Sequence, residues 1–264
     1  MKQRCQNFLE PQVSPLWTRW FAAYGERYVR RHFHAVRLLR GPPPVSANPL
    51  VIYLNHASWW DPMLCLVLRN HFFRHRTTFA HIDAAALAKY RFFQKLGFFP
   101  VQQNSRRGTL DFLTTASRVL RREDSLLWLT PQGRFTDARQ RPPAFRAGLG
   151  HLTSRVPMAT YVPLAVEISF WEERLPEACV NFGEPFVLTG ERAEQLGPAA
   201  VTEQFENGLQ VAQDELAAAV VRRDGGALRV LCRNASGVGG VYDVWRRWRA
   251  LWRGERFQAE HAAK

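Results

Sequence analysis

A histidine followed five residues later by an aspartate, in Asn55-His56-Ala57-Ser58-Trp59-Trp60-Asp61, is the segment best equipped for chemistry. A carboxylate that accepts a hydrogen bond from one imidazole nitrogen fixes the tautomer and leaves the other nitrogen free to take a proton. With a helix starting near His56, Asp61 falls a little over one turn on and shares its face. Such a pair can deprotonate a substrate hydroxyl directly, with no protein nucleophile. On spacing alone, however, a His and an Asp five apart read more readily as structural, because such pairs arise often by chance.

Other reactive groups form no comparable pattern. His71 and His75 are four apart with His81 beyond, but arginines intervene and no metal is expected there. Cys5, Cys65, Cys179 and Cys232 are scattered and form no C-x-x-C. They read as reduced, mostly buried thiols in a reducing compartment. No G-x-S-x-G and no phosphate-cradling G-x-x-x-x-G-K-[ST] occurs, and Gly237-Val238-Gly239-Gly240 reads as a hinge.

The elements that must position His56 and Asp61 follow from periodicity. Residues 50–54 are an apolar run that predicts a buried strand leading into a helix over 55–70. Strands are expected at 77–82, 98–102, 125–129 and 161–168, with further short ones at 180–182 and 186–188. Helices are expected at 84–96, 109–121, 148–155 and 191–223, and an Arg- and Pro-rich loop at 131–146. This alternation implies an α/β fold, a mostly parallel central sheet flanked by helices. Residues 14–40 read as an amphipathic helix ended by Gly41-Pro42-Pro43-Pro44, and residues 241–257 as a second basic one. The expected organisation is a helical segment over 1–44, a catalytic domain over 45–223 and a basic Trp-rich tail over 224–264.

With these elements in order, the chain resembles the lysophosphatidate and glycerol-phosphate acyltransferase family. Asn55-His56-x4-Asp61 matches that family's His-x4-Asp block. Leu96-Gly97-Phe98-Phe99-Pro100-Val101, followed by Ser105-Arg106-Arg107-Gly108, looks like the second block, and Thr130-Pro131-Gln132-Gly133-Arg134 like the third. Tyr161-Val162-Pro163-Leu164 looks like the fourth, and Phe145-Arg146-Ala147-Gly148 also fits the pattern. The resemblance covers roughly residues 50–190. It implies that His56 is the general base and Asp61 its orienting partner. It also implies acyl-CoA or acyl-carrier protein as donor, a lipid hydroxyl as acceptor, and no cofactor.

By the same resemblance the substrate contacts fall on Asn55, Gln103, Arg106, Arg107, Gln132, Gly133 and Arg134. Two of the blocks, the second and the third, depart from the family pattern. Gln103 stands where the second block carries Arg. In the third block Gln132 replaces Glu, Arg134 is one position early, and Phe135 takes the Arg position. An Arg fork is the natural clamp for phosphate. Its rearrangement leaves two expectations open: a neutral acceptor such as a glycolipid, or a phosphate reached by Arg106, Arg107, Arg134 or Arg139.

The net charge of +13 and pI near 10.4 suit anionic membrane, acidic carriers or nucleic acid without choosing among them. Only four of the 36 basic residues are Lys. No run approaches the length of a membrane-spanning helix, and the first residues lack the apolar stretch of a secretory signal. Trp245, Trp248 and Trp252, with Arg246, Arg247, Arg249 and Arg253 between them, have the pattern of a helix lying in a lipid interface. The expectation is therefore a peripheral enzyme at the cytoplasmic membrane face, with an anionic membrane surface and no nucleic acid as partner. The competing reading is a non-enzymatic membrane- or nucleic-acid-binding protein that keeps the fold with a degenerate site.

Overall fold

The computed structural model describes residues 11–44, 48–102, 105–223 and 225–234. Gln103, Cys5, the Gly237–Gly240 segment and the Trp-rich tail lie outside the described residues. Strand β2 (Leu50–Leu54) is apolar throughout because both its faces are covered. Leu50, Ile52 and Leu54 pack under helices α1 (Pro15–His32) and α2 (Asp61–Phe72). Val51 and Tyr53 pack on the opposite side, under α4 (Arg106–Val119), α5 (Gly148–Thr153) and α7 (Pro198–Arg222).

Around β2 the sheet assembles as β4-β3-β5-β2-β6-β7-β1-β9. Its parallel block comprises β2, β3 (Thr77–Asp83), β4 (Phe98–Val101), β5 (Ser125–Leu129) and β6 (Met158–Ser169). β7 (Glu177–Phe182) and β8 (Phe186–Thr189) are antiparallel to the two halves of the long β6. The expected α/β fold with a mostly parallel sheet is therefore present.

β1 (Ala35–Leu38) and β9 (Arg229–Arg233) were not legible as strands. The helix expected over 14–40 ends at His32. The chain then turns extended, so that β1 lies parallel to β7 and antiparallel to β9. Both partners are distant in sequence, and Arg37 reaches across to Glu177 at 2.9 Å. The sheet therefore runs past residues 45 and 223, the bounds expected for the central domain.

Local chemistry explains the other differences. The helix expected over 55–70 starts only at Asp61, where Pro62 occupies the first turn, so residues 55–60 are loop. The 84–96 helix is split into α3 (Ala84–Lys89), capped by Asp83, and a 3-10 turn over Arg91–Leu96. That turn stops at Gly97, whose φ of +90° disfavours a side chain and where an added Cβ would collide with the Thr78 carbonyl oxygen. The 191–223 helix is divided at Gly197 into α6 (Gly190–Leu196) and α7. Among the described residues no helix is long and apolar enough to cross a membrane.

β2 stops at Leu54 while β6 continues, which would leave a backbone edge unpaired in the interior. The Asn55 side chain takes over: its Nδ2 donates to Val166 O at 2.9 Å, and its Oδ1 accepts from Val166 N at 2.8 Å. Asn55 is 1% exposed. Replacing it with Ala strands both groups, each at a cost of about 1–3 kcal/mol. Urea denaturation of Asn55→Ala is expected to show that loss, and an unchanged midpoint would show that water replaces the amide without penalty.

Candidate active site

The parallel strands end together, and two loops leave from that edge. Residues 55–60 leave β2, and residues 130–147 leave β5. Loops at the carboxyl edge of a parallel sheet are where such folds place their chemistry.

Within the first loop the carboxylate of Asp61 is 1% exposed. It is held by three donors. His56 Nδ1 lies 2.7 Å from its Oδ2, Ser58 N donates to Oδ2 at 3.1 Å, and Ser58 Oγ donates to Oδ1 at 3.2 Å. With Asp61 ionised, Nδ1 carries the proton and Nε2 is left with its lone pair outward. The geometry expected for a His-Asp pair on one helix face is thus achieved differently, by a loop folded back onto a helix N-terminus. Ser58 escaped the sequence reading; a hydroxyl two or three residues before a helix is the signal that points to it.

The second loop fixes the first from behind. Gln132 Oε1 accepts from His56 N at 2.7 Å, Gln132 Nε2 donates to Pro143 O at 2.8 Å, and Thr136 N donates to His56 O at 2.8 Å. Gln132 is 3% exposed with both ends of its amide engaged, and it does not line the cavity. Its expected role as a substrate contact is corrected to that of a brace between the loops. Asn55 is corrected likewise, since its amide is used on Val166.

Gly133, with φ +63°, lets the chain pass under Arg146, whose Nε would lie 2.7 Å from an added Cβ. Arg134 is exposed at the cavity wall. Arg106 and Arg107 are exposed in the first turn of α4 behind the Ser105 cap and do not line the cavity. Phe135 stacks on His56 with ring centroids 4.2 Å apart and is 60% exposed.

From His56 and Trp59 a cavity of about 700 Å³ runs between α2 and strands β3 and β5. Most of its wall is apolar, including Leu54, Cys65, Leu66, Leu96, Phe98 and Trp128. Burial, with Asp61 nearby, pushes the Cys65 thiol well above its ordinary range, so it stays protonated and inert. Burial pushes His81 down to about 4, so that imidazole is neutral near pH 7. Among the described residues no cluster of His, Cys, Asp and Glu is arranged to hold a metal.

A family model described as Acyltransferase matches residues 24–167, more than half of the chain. The chain belongs to the acyltransferase family. In this acyltransferase-family protein the matched span contains the His56–Asp61 pair and both bracing loops. The crystal structure of the 1-acyl-sn-glycerophosphate (LPA) acyltransferase PlsC from Thermotoga maritima has a similar fold. Its TM-score is 0.57 at 12% identity, and the match covers 76% of this chain and 80% of that one. No curated protein matches the acyltransferase-family chain in sequence.

The brace is testable apart from any substrate. In Gln132→Glu an ionised carboxylate still accepts from His56 N but faces the Pro143 carbonyl with no proton to donate. The expected result is a loss of about 1–3 kcal/mol in urea denaturation and a shifted imidazole resonance for His56. Wild-type stability together with an unshifted resonance would show that Gln132 braces nothing.

Proposed function

We propose that the chain transfers an acyl group from acyl-CoA or acyl-carrier protein to a lipid hydroxyl, working as a peripheral protein on the cytoplasmic face of a membrane. The observation that carries this reading is the His56–Asp61 pair at the mouth of a long apolar cavity. His56 Nε2 takes the proton of the acceptor hydroxyl as its oxygen attacks the thioester carbonyl. The buried Asp61 stabilises the resulting imidazolium, the carbon–sulfur bond breaks, and the departing thiolate recovers the proton. The apolar cavity gives the acyl chain a dry channel, and its volume suits a single lipid chain.

His56→Ala is expected to lower turnover of long-chain acyl-CoA by about 10²–10⁴ in a protein that still folds, with Asp61→Asn also strongly impaired. Normal turnover by folded His56→Ala would sink the proposal. A folded wild-type protein that turns over no thioester would point instead to the non-catalytic binding reading.

A surface of exposed aromatics supports the membrane location. Trp17, Trp20, Tyr24 and Tyr28 follow one another along α1 in ring contact, and Tyr28 reaches Trp59 at the cavity mouth. Phe21 joins this ladder to Phe92 and Phe93 on the 3-10 turn, and Lys95 sits over Trp17. Exposed rings beside cations suit the interface of an anionic bilayer. Trp17→Ser with Trp20→Ser is expected to reduce sedimentation with anionic vesicles, and salt to weaken the wild type. Unchanged sedimentation would leave the tail beyond Gly240 as the anchor to delete next.

The acceptor reading now rests on Phe135 and not on Gln132. The side chain over the base is an aromatic ring, and Arg134 is the cation beside it on the cavity wall. That environment favours a hydroxylated acceptor without a phosphate, such as a glycolipid. In competition the wild type is expected to prefer the neutral lipid over lysophosphatidate, and Phe135→Arg to move preference toward lysophosphatidate. A wild-type preference for lysophosphatidate would assign the phosphate to Arg134 or to Arg106 and Arg107.

A further inference from the structure

The cavity's far end is chemically unlike its walls. Asp61, Cys65 and Arg69 recur every four residues along α2, and all three line it. At a helical rise of 1.5 Å per residue, Arg69 lies about 12 Å along the axis from Asp61. β3 supplies a polar group to the opposite wall, Thr78, which also lines the cavity. Thr78 pairs in register with Leu126, and Leu126 with Leu50, six positions before His56. Arg69 and Thr78 therefore both line the cavity away from the imidazole, one on each wall.

Both are incompletely bonded. Arg69 is 7% exposed, and its one hydrogen bond among the described residues is a long 3.5 Å contact from Nη2 to the Arg74 carbonyl. Among the described residues neither Arg69 Nε nor Thr78 Oγ1 has a partner, although both atoms are buried. The carboxylates that line the cavity are committed elsewhere: Asp61 to His56 and Ser58, and Asp83 to the cap of α3. Glu26, on α1, is engaged by Arg30 and Asn70. The charged groups that act on Arg69 are the cations Arg74 and Arg19, which together with burial lower its affinity for its proton. A buried guanidinium with no counter-charge among the described residues, in one cavity with an unpaired hydroxyl, is completed by an oxygen that accepts hydrogen bonds.

We propose that the far end of the cavity is a subsite for an oxygen function, hydroxyl or carboxylate, carried on the distal part of the acyl chain. This rests on the reading of the cavity as the acyl-chain channel. A plain hydrocarbon terminus would leave Arg69 Nε and Thr78 Oγ1 unpaired, whereas an oxygenated chain pairs them. Sites built to hydrogen-bond a polar group discriminate against analogues that lack it.

The test uses the full chain and three acyl-CoA donors of equal chain length: unsubstituted, hydroxylated in the distal half, and carboxylated at the terminus. The wild type is expected to favour one or both oxygenated donors over the plain one by about tenfold or more in kcat/KM. The better of the two identifies the oxygen function. Arg69→Leu is expected to collapse that ratio or invert it, and Thr78→Val to reduce it. Circular dichroism checks that the variants fold, and Arg69→Lys, which keeps the charge, should retain part of the preference. Equal kcat/KM on all three donors would overturn the subsite while leaving acyl transfer standing, and would assign the unpaired atoms to buried water. If no donor is turned over, the functional reading fails, and displacement of a fluorescent fatty acid by hydroxylated or plain fatty acids decides the subsite alone. Equal displacement by the two overturns it, and selective displacement by the hydroxylated acid, lost in Arg69→Leu, supports it.

Discussion

Burying the carboxylate of Asp61 constrains everything around it. An ionised group removed from water is costly unless hydrogen bonds replace its hydration. Asp61 obtains them from His56, from the Ser58 amide and hydroxyl, and from its position in the first turn of α2, where the helix dipole favours negative charge. To supply those donors, residues 55–60 must leave the strand as a loop and fold back onto the helix. The imidazole orientation follows from that loop, so the requirement to hold one buried carboxylate also sets the direction of Nε2.

A loop held only by its own aspartate would still be free to rock. The 130–147 loop prevents this by gripping the backbone of His56 on both sides, through Gln132 on the N–H and Thr136 on the carbonyl. That second loop is anchored in turn: Phe145 N donates to Glu206 on α7, and Arg141 reaches Asp214 at 2.7 Å. Helix α7, far from the imidazole in sequence, thereby helps to hold the edge that carries His56. Asn55 performs the same kind of service on the β6 side. Three polar side chains that could pass for ligand contacts, Asn55, Ser58 and Gln132, are consumed in holding His56 and Asp61 still.

The two faces of the sheet divide the labour. The α4, α5 and α7 face carries the anchoring helix. The α1 and α2 face carries the cavity, the exposed aromatics and Arg69. The cavity on that face leaves Arg69 Nε and Thr78 Oγ1 buried without partners among the described residues, which packing alone does not explain.

The sequence by itself determined the alternating architecture, most of the strands and the His56–Asp61 pairing. These follow from short-range signals: apolar runs such as 50–54 and 125–129, punctuating Gly and Pro, and a fixed His-x4-Asp spacing. Signals of that kind also blurred its errors, since α1 continues helically in pattern up to Arg40 while its last residues are needed as a strand. Only the tertiary structure decided that β1 and β9 exist, because each is stabilised by partners far along the chain. It likewise decided that Asn55 and Gln132 bond to protein groups, that Phe135 lies against the imidazole, and that Arg69 lines a cavity with its Nε unpaired among the described residues. Residue type states what a side chain can bond to. Which groups come within 3 Å of it is set by the packing of distant elements, and no local pattern carries that information.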